Sequence, residues 1–179
     1  MSKEQSFTRE DHERRGGVSI RLAATFPMGA AIEEMPELPE PPKPYEVFEH
    51  TADVGLHAFG RTLPELFVHA AQGMESLLVP AEQVRAVTSR QITVDGHDTI
   101  SLLISWLNEL VFLFDTEYLL FRNFVIETIN ETQLTGRAYG EPYDRQRHHL
   151  SSAIKAVTWH EAAITRLDEG YQARIIFDL

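Results

Sequence analysis

Three short segments carry residue types able to do chemistry. The first is His50-Thr51-Ala52-Asp53-Val54-Gly55, an imidazole and a carboxylate three residues apart, followed by a glycine. Between two strand-like runs, an Asp near a glycine commonly turns the chain by hydrogen-bonding its own backbone. The same carboxylate is also a cation ligand, and His50 is equally at home as a structural hydrogen-bonder. The second segment is Ile175-Ile176-Phe177-Asp178-Leu179, an apolar strand that runs to the last residue. A strand that enters the core there fixes its own end and buries two negative groups together, the Asp178 side chain and the Leu179 α-carboxylate. Carboxylates that meet repel unless a cation or protons lie between them. An all-oxygen ligand set selects hard ions such as Mg²⁺ or Ca²⁺. Spacing alone does not bring Asp53 to Asp178.

The third segment is Lys155-Ala156-Val157-Thr158-Trp159-His160. In a strand, Lys155, Val157 and Trp159 face one way and Ala156, Thr158 and His160 the other. One face offers an ammonium group and the other a Thr–His pair. An edge strand with a solvated lysine fits the same pattern. His148-His149 with Arg145 and Arg147 reads as a basic, solvated loop, and Asp115 and Glu117 as surface charges at a helix end. The chain has no P-loop, no G-x-G-x-x-G, no G-x-S-x-G and no H-E-x-x-H. With no complete catalytic set visible, an accessory or binding role is favoured over an independent enzyme.

These segments need elements to hold them. Strands are expected at Tyr45–Glu49 and Leu56–Arg61, joined by a turn around Asp53-Val54-Gly55. Thr62-Leu63-Pro64-Glu65 is a capping box with proline early in the first turn. Leu63, Leu66, Phe67, Ala70, Ala71, Met74, Leu77 and Leu78 then recur at helical spacing until Pro80 ends the helix. Arg90–Asp95 alternates as a strand. Asp98 caps a second, strongly apolar helix through Phe114. Strand-like runs follow at Phe121–Glu127, Gln133–Tyr139, Ile154–Thr165 and Ala173–Phe177. The order predicts an α+β, two-layer domain, two helices on a mainly antiparallel or mixed sheet.

The 179 residues suit one domain. Six of the nine prolines fall in residues 1–44, which read as a disordered Pro- and acid-rich extension. That leaves 45–179 as the folded body. Sixteen basic against 27 acidic residues give a net charge of −11. The extension holds 6 and 8 of these, so the body carries 10 and 19, net −9. Such a surface disfavours direct binding to RNA or DNA phosphates and favours cations or a basic protein partner. The absence of cysteine excludes disulfides, thiolate-bound zinc and thiol nucleophiles, and suits the cytoplasm. No run approaches 18 apolar residues, so no membrane span is expected.

The opening from Tyr45 to Gly60, the helix start Thr62–Phe67, Lys155–His160 and the close Ile175–Leu179 together resemble the archease family. Leu107-Asn108-Glu109-Leu110 fits that family's central helix. The likeness covers residues 45–179. It implies a small accessory protein of the RtcB-type RNA ligase, which joins 3′-phosphate or 2′,3′-cyclic phosphate ends to 5′-hydroxyl ends. Archeases promote guanylylation of that ligase by GTP and restore its turnover, in tRNA splicing or RNA repair, and meet RNA only through the ligase. Carried over by motif, Asp53, Asp178 and the Leu179 carboxylate would hold a divalent cation, Mg²⁺ or Ca²⁺. Lys155 would meet a phosphate or an acidic group of the ligase, with His50 beside it. Two other readings stand beside this one: a stand-alone metal-dependent phosphohydrolase or nuclease, and a chaperone or modulator of tRNA modification. The long extension departs from the family's pattern.

Overall fold

Side chains that take up the free amides of a first turn fix where both helices begin. The computed structural model describes residues 43–50 and 53–179. The expected disorder of residues 1–44 falls outside them, save for Lys43 and Pro44. Helix α1 spans Leu63–Leu78, and the Thr62 hydroxyl accepts from the Glu65 amide at 3.3 Å. The Glu65 carboxylate closes the cap on the Arg61 amide at 2.7 Å, one residue earlier than a reciprocal box would. Helix α2 spans Thr99–Glu117. There the box is complete: Asp98 accepts from the Ser101 amide at 2.7 Å, and the Ser101 hydroxyl accepts from the Asp98 amide at 2.9 Å. Tyr118 ends α2 in the left-handed region, at φ 56°.

Among the described residues, seven strands divide between two antiparallel sheets. In the first, β1 (Tyr45–His50), β2 (Asp53–Gly60), β7 (Gly170–Asp178) and β6 (Ala156–Leu167) lie in the order β1-β2-β7-β6. In the second, β3 (Thr88–Asp95), β5 (Gln133–Pro142) and β4 (Leu119–Ile129) lie in the order β3-β5-β4. The α+β class and the antiparallel pairing are as expected, while the division into two sheets is a finding of the structure. Alternation along a strand tells which residues face the core but not which strand is its neighbour. The expected turn at Asp53-Val54-Gly55 is strand, because β2 pairs with β1 as far as His50↔Asp53.

Both helices touch both sheets, and one apolar cluster joins them. Its largest member is Trp106 of α2, fully buried, with its Nε1 donating to the Phe67 carbonyl at 3.3 Å and its ring edge-on to Phe124. Helix α2 is long and apolar enough, by composition, to cross a membrane. Half of its most apolar window is buried within the fold, as befits the core helix of a globular domain.

Two buried carboxyls behave in opposite ways. Glu75 of α1 has only the Phe121 amide as a donor, at 3.4 Å, and its Oε1 has no partner. Burial pushes its pKa from 4.5 up to about 8, against a small downward pull from that amide. Glu141 of β5 is equally enclosed, and burial alone would raise it. Hydrogen bonds from the Arg85 amide and guanidinium, from Arg147 and from His148 overcome this and hold it down at about 2. His148 is buried in this network, which corrects the expectation of a solvated basic loop.

A carboxyl whose folded pKa lies above its unfolded value favours the folded state less as pH rises from 4.5 to 8. Glu75→Gln should therefore remove a slope of about 1.4 kcal/mol per pH unit from the stability profile in that window. Glu141→Gln should flatten the profile between pH 4.5 and 2 instead, where the wild type loses stability as Glu141 takes up its proton. Urea denaturation across pH 2–9 measures both.

Candidate cation and partner site

The site is built by register. Strands β2 and β7 pair from Gly60↔Tyr171 to Val54↔Phe177, and β7 pairs with β6 at Ala156↔Asp178. Continuing the first register by one residue sets Asp53 opposite Asp178. Directly opposed residues put their side chains on the same face, with Cβ atoms about 5 Å apart. His50, Asp53, Asp178 and Ala156 thus form one row across all four strands, at one end of the sheet. The next row holds Lys155 and Leu179. Lys155 donates its amide to the Asp178 carbonyl at 2.8 Å and its ammonium group to the Leu179 main-chain oxygen.

Four of the five expected site residues thus share these two rows across β2, β7 and β6, and the fifth, His50, extends the row onto β1. Three details differ from the sequence reading. Asp178 is exposed, not buried, because alternation turns it to the outer face while Phe177 before it and Leu179 after it pack on the core side. The Lys155 ammonium is turned onto Leu179 and does not stand free. Third, Gly55 serves packing. A Cβ there would sit 2.0 Å from the Phe48 ring, so the missing side chain lets that ring lie flat on β2. The ring in turn packs on His57, with centroids 4.6 Å apart, and carries the Arg174 guanidinium 4.6 Å above its centre.

Sequence reasoning missed the residues that orient the row. Strand β6 gains three residues between Thr158↔Ile176 and Ala163↔Arg174. In this bulge Glu161 takes the left-handed region, at φ 52°. Its carboxylate accepts from Arg174 at 2.6 Å and lies 3.8 Å from His50. The Arg174 bond holds the Glu161 carboxyl below its usual range. Asn108 of α2 clasps β6 from the other side. Its amide accepts from the Val157 N–H at 3.0 Å and donates to the Val157 carbonyl at 3.2 Å. Asn108 lay within a segment singled out by resemblance, but nothing in the sequence joins it to Val157. A concavity of about 610 Å³ among Arg61, Arg166 and the β6–β7 turn lies at the opposite end of the sheet, away from the acidic row.

A model of the archease protein family matches residues 45–179. The chain is 35% identical over 139 residues to protein archease of Methanosarcina barkeri, covering 75% of this chain and 95% of that one. It is 38% identical over 138 residues to protein archease of Methanothermobacter thermautotrophicus, covering 75% and 98%. Among solved structures it resembles the solution structure of Methanobacterium thermoautotrophicum protein 1598, at 38% identity and a TM-score of 0.67 over 76% of this chain and 99% of that one. It also shares the fold of a crystal structure from Thermotoga maritima described as an archease, possible chaperone, at 19% identity and a TM-score of 0.50 over 75% and 96%.

The Asn108 clasp carries a testable cost. Asn108→Ala leaves the Val157 N–H and carbonyl without partners and should destabilise the fold by about 2 kcal/mol. It should also loosen the start of β6, read as faster amide exchange at Val157 and Lys155 than in the Glu109→Ala control.

Proposed function

The chain belongs to the archease family, and on that premise we propose that it is a metal-binding accessory protein that activates an RtcB-type RNA ligase. It promotes guanylylation of the ligase by GTP and multiple turnover, in tRNA splicing or RNA repair in the cytoplasm. The observation that supports this is the cross-strand row, which gathers Asp53 and Asp178 beside Leu179 and Lys155 at one open end of the sheet. The donors are all oxygen, they come from two paired strands, and Asp178 is exposed, which suits a hard ion that keeps some of its water. Asp53, Asp178 and Leu179 would hold Mg²⁺ or Ca²⁺, and such an ion supplies fixed positive charge to nearby phosphate oxygens.

The chain's own residues have separate tasks in this reading. Asp53 and Asp178 bind and orient the cation from neighbouring strands. Lys155, tied to Leu179, keeps an ammonium group within reach of a phosphate or of an acidic group on the ligase. His50 borders the row on the β1 side. The body's net charge of −9 keeps RNA phosphates at a distance and leaves RNA to the ligase.

The test is a guanylylation assay with a stalled ligase, GTP and Mg²⁺. Wild-type protein should restore turnover, while Asp53→Ala and Lys155→Ala should each lose at least tenfold of the stimulation. Equal stimulation by wild type and Asp53→Ala would sink the metal-site role. Turnover of RNA or nucleotide by the protein alone would favour the phosphohydrolase reading instead.

A further inference from the structure

Next to the carboxylate row lies a second set of donors of different chemistry. His50, His160 and Glu161 each offer one ligand atom, and these atoms all lie within 4.8 Å of one another. The Nε2 of His50 is 3.8 Å from Glu161 Oε2, and the Nε2 of His160 is 3.7 Å from Glu161 Oε1. Four donors at about 2.1 Å around a zinc ion stand roughly 3.4 Å apart. Closing on an ion therefore asks the side chains to draw together by up to about 1.4 Å.

Three independent features accompany this arrangement. The first is the β6 bulge. A regular strand would alternate His160 and Glu161 onto opposite faces. Three extra residues and a left-handed Glu161 bring both to His50 instead, at a backbone cost of about 1 kcal/mol for a non-glycine residue. The second is Arg174, which grips Glu161 through Oε2 and leaves Oε1 turned toward His160. The third is an orphan: the Nδ1 of His50 is buried with no hydrogen-bond partner, and Asp53 Oδ2 stands 3.9 Å behind it. A histidine that ligates through Nε2 carries its proton on Nδ1 and donates it to a carboxylate, and that partner raises the affinity of the site. Asp53 is in place for this and needs to close by about 1 Å.

We propose that His50, His160 and Glu161 form a site for a borderline transition-metal ion of the Zn²⁺ class, with Asp53 as the acceptor behind His50. Two imidazoles and one carboxylate select such ions over Mg²⁺ and Ca²⁺. His160 and Glu161 are largely exposed, with side chains 65% and 45% accessible, so a fourth position stays open to water or to a donor from a partner. The site is distinct in ligands from the Asp53/Asp178/Leu179 cation and does not rest on the ligase reading. It touches that reading only through Asp53, which cannot serve both sites fully at once.

Cobalt(II) titration of the tag-free full chain, without ligase or nucleotide, is the test. The wild type should bind one Co²⁺ per chain with visible absorption bands of a four- or five-coordinate site. Zn²⁺ should displace it, and a hundredfold excess of Mg²⁺ should not. His160→Ala and Glu161→Gln should each weaken Co²⁺ at least tenfold, while Asp178→Asn should keep it. Thermal melts without metal check that each variant is folded; His160, being exposed, should melt with the wild type when replaced. No stoichiometric Co²⁺ binding, or undiminished binding in His160→Ala, overturns the proposal. So does loss of binding in Asp178→Asn with His160→Ala unaffected, since the ion then belongs to the carboxylate row.

Discussion

The pairing of β2 with β7 is the constraint on which the rest depends. It joins residues more than a hundred positions apart and forms the centre of the four-stranded sheet. Its core face carries Leu56, Ala58, Ala173, Ile175 and Phe177, all buried. A slip by one residue would turn those side chains to solvent, so the apolar face fixes the register. The same register decides what happens on the outer face, where Asp53 falls in line with Asp178. Burial on one side of the sheet thus sets the spacing of charge on the other.

The two helices were legible in the sequence because each carries its own local evidence. Thr62 with Glu65, and Asp98, are caps that act within a few residues, and the apolar spacing behind them admits one period only. Every strand was also visible, to within a few residues at its ends. The partnership of strands was not, since β2 meets β7 and β3 meets β5 across long stretches of chain. Asp53 and Asp178 were singled out as carboxylates and paired only by resemblance, and it is the register that puts them in one row.

The parts that escaped sequence reading share a cause. Each depends on a departure from regular periodicity or on a contact between remote segments. Glu161 reaches His50 because a bulge breaks the alternation that the pattern at Thr158–His160 implied. His148 looked like part of a solvated loop because its partner, Glu141, belongs to a strand whose burial only the packed fold reveals. Gly55 looked like a turn former because the Phe48 ring above it is a cross-strand neighbour. Loops and glycines are where local pattern carries least information about what lies across from them.

Strand β6 stands at the rim of its sheet, where a row of unpaired amides would normally invite another strand to extend it. Here the invitation is withdrawn. The Asn108 side chain consumes both backbone groups of Val157, and the bulge beyond Thr158 spoils the straight run that a templated strand needs. A macromolecule docking at this end of the sheet is therefore denied backbone augmentation. It must read side chains: an exposed indole at Trp159, two imidazoles, a guanidinium and a cluster of carboxylates. Recognition of that kind is graded by ionic strength.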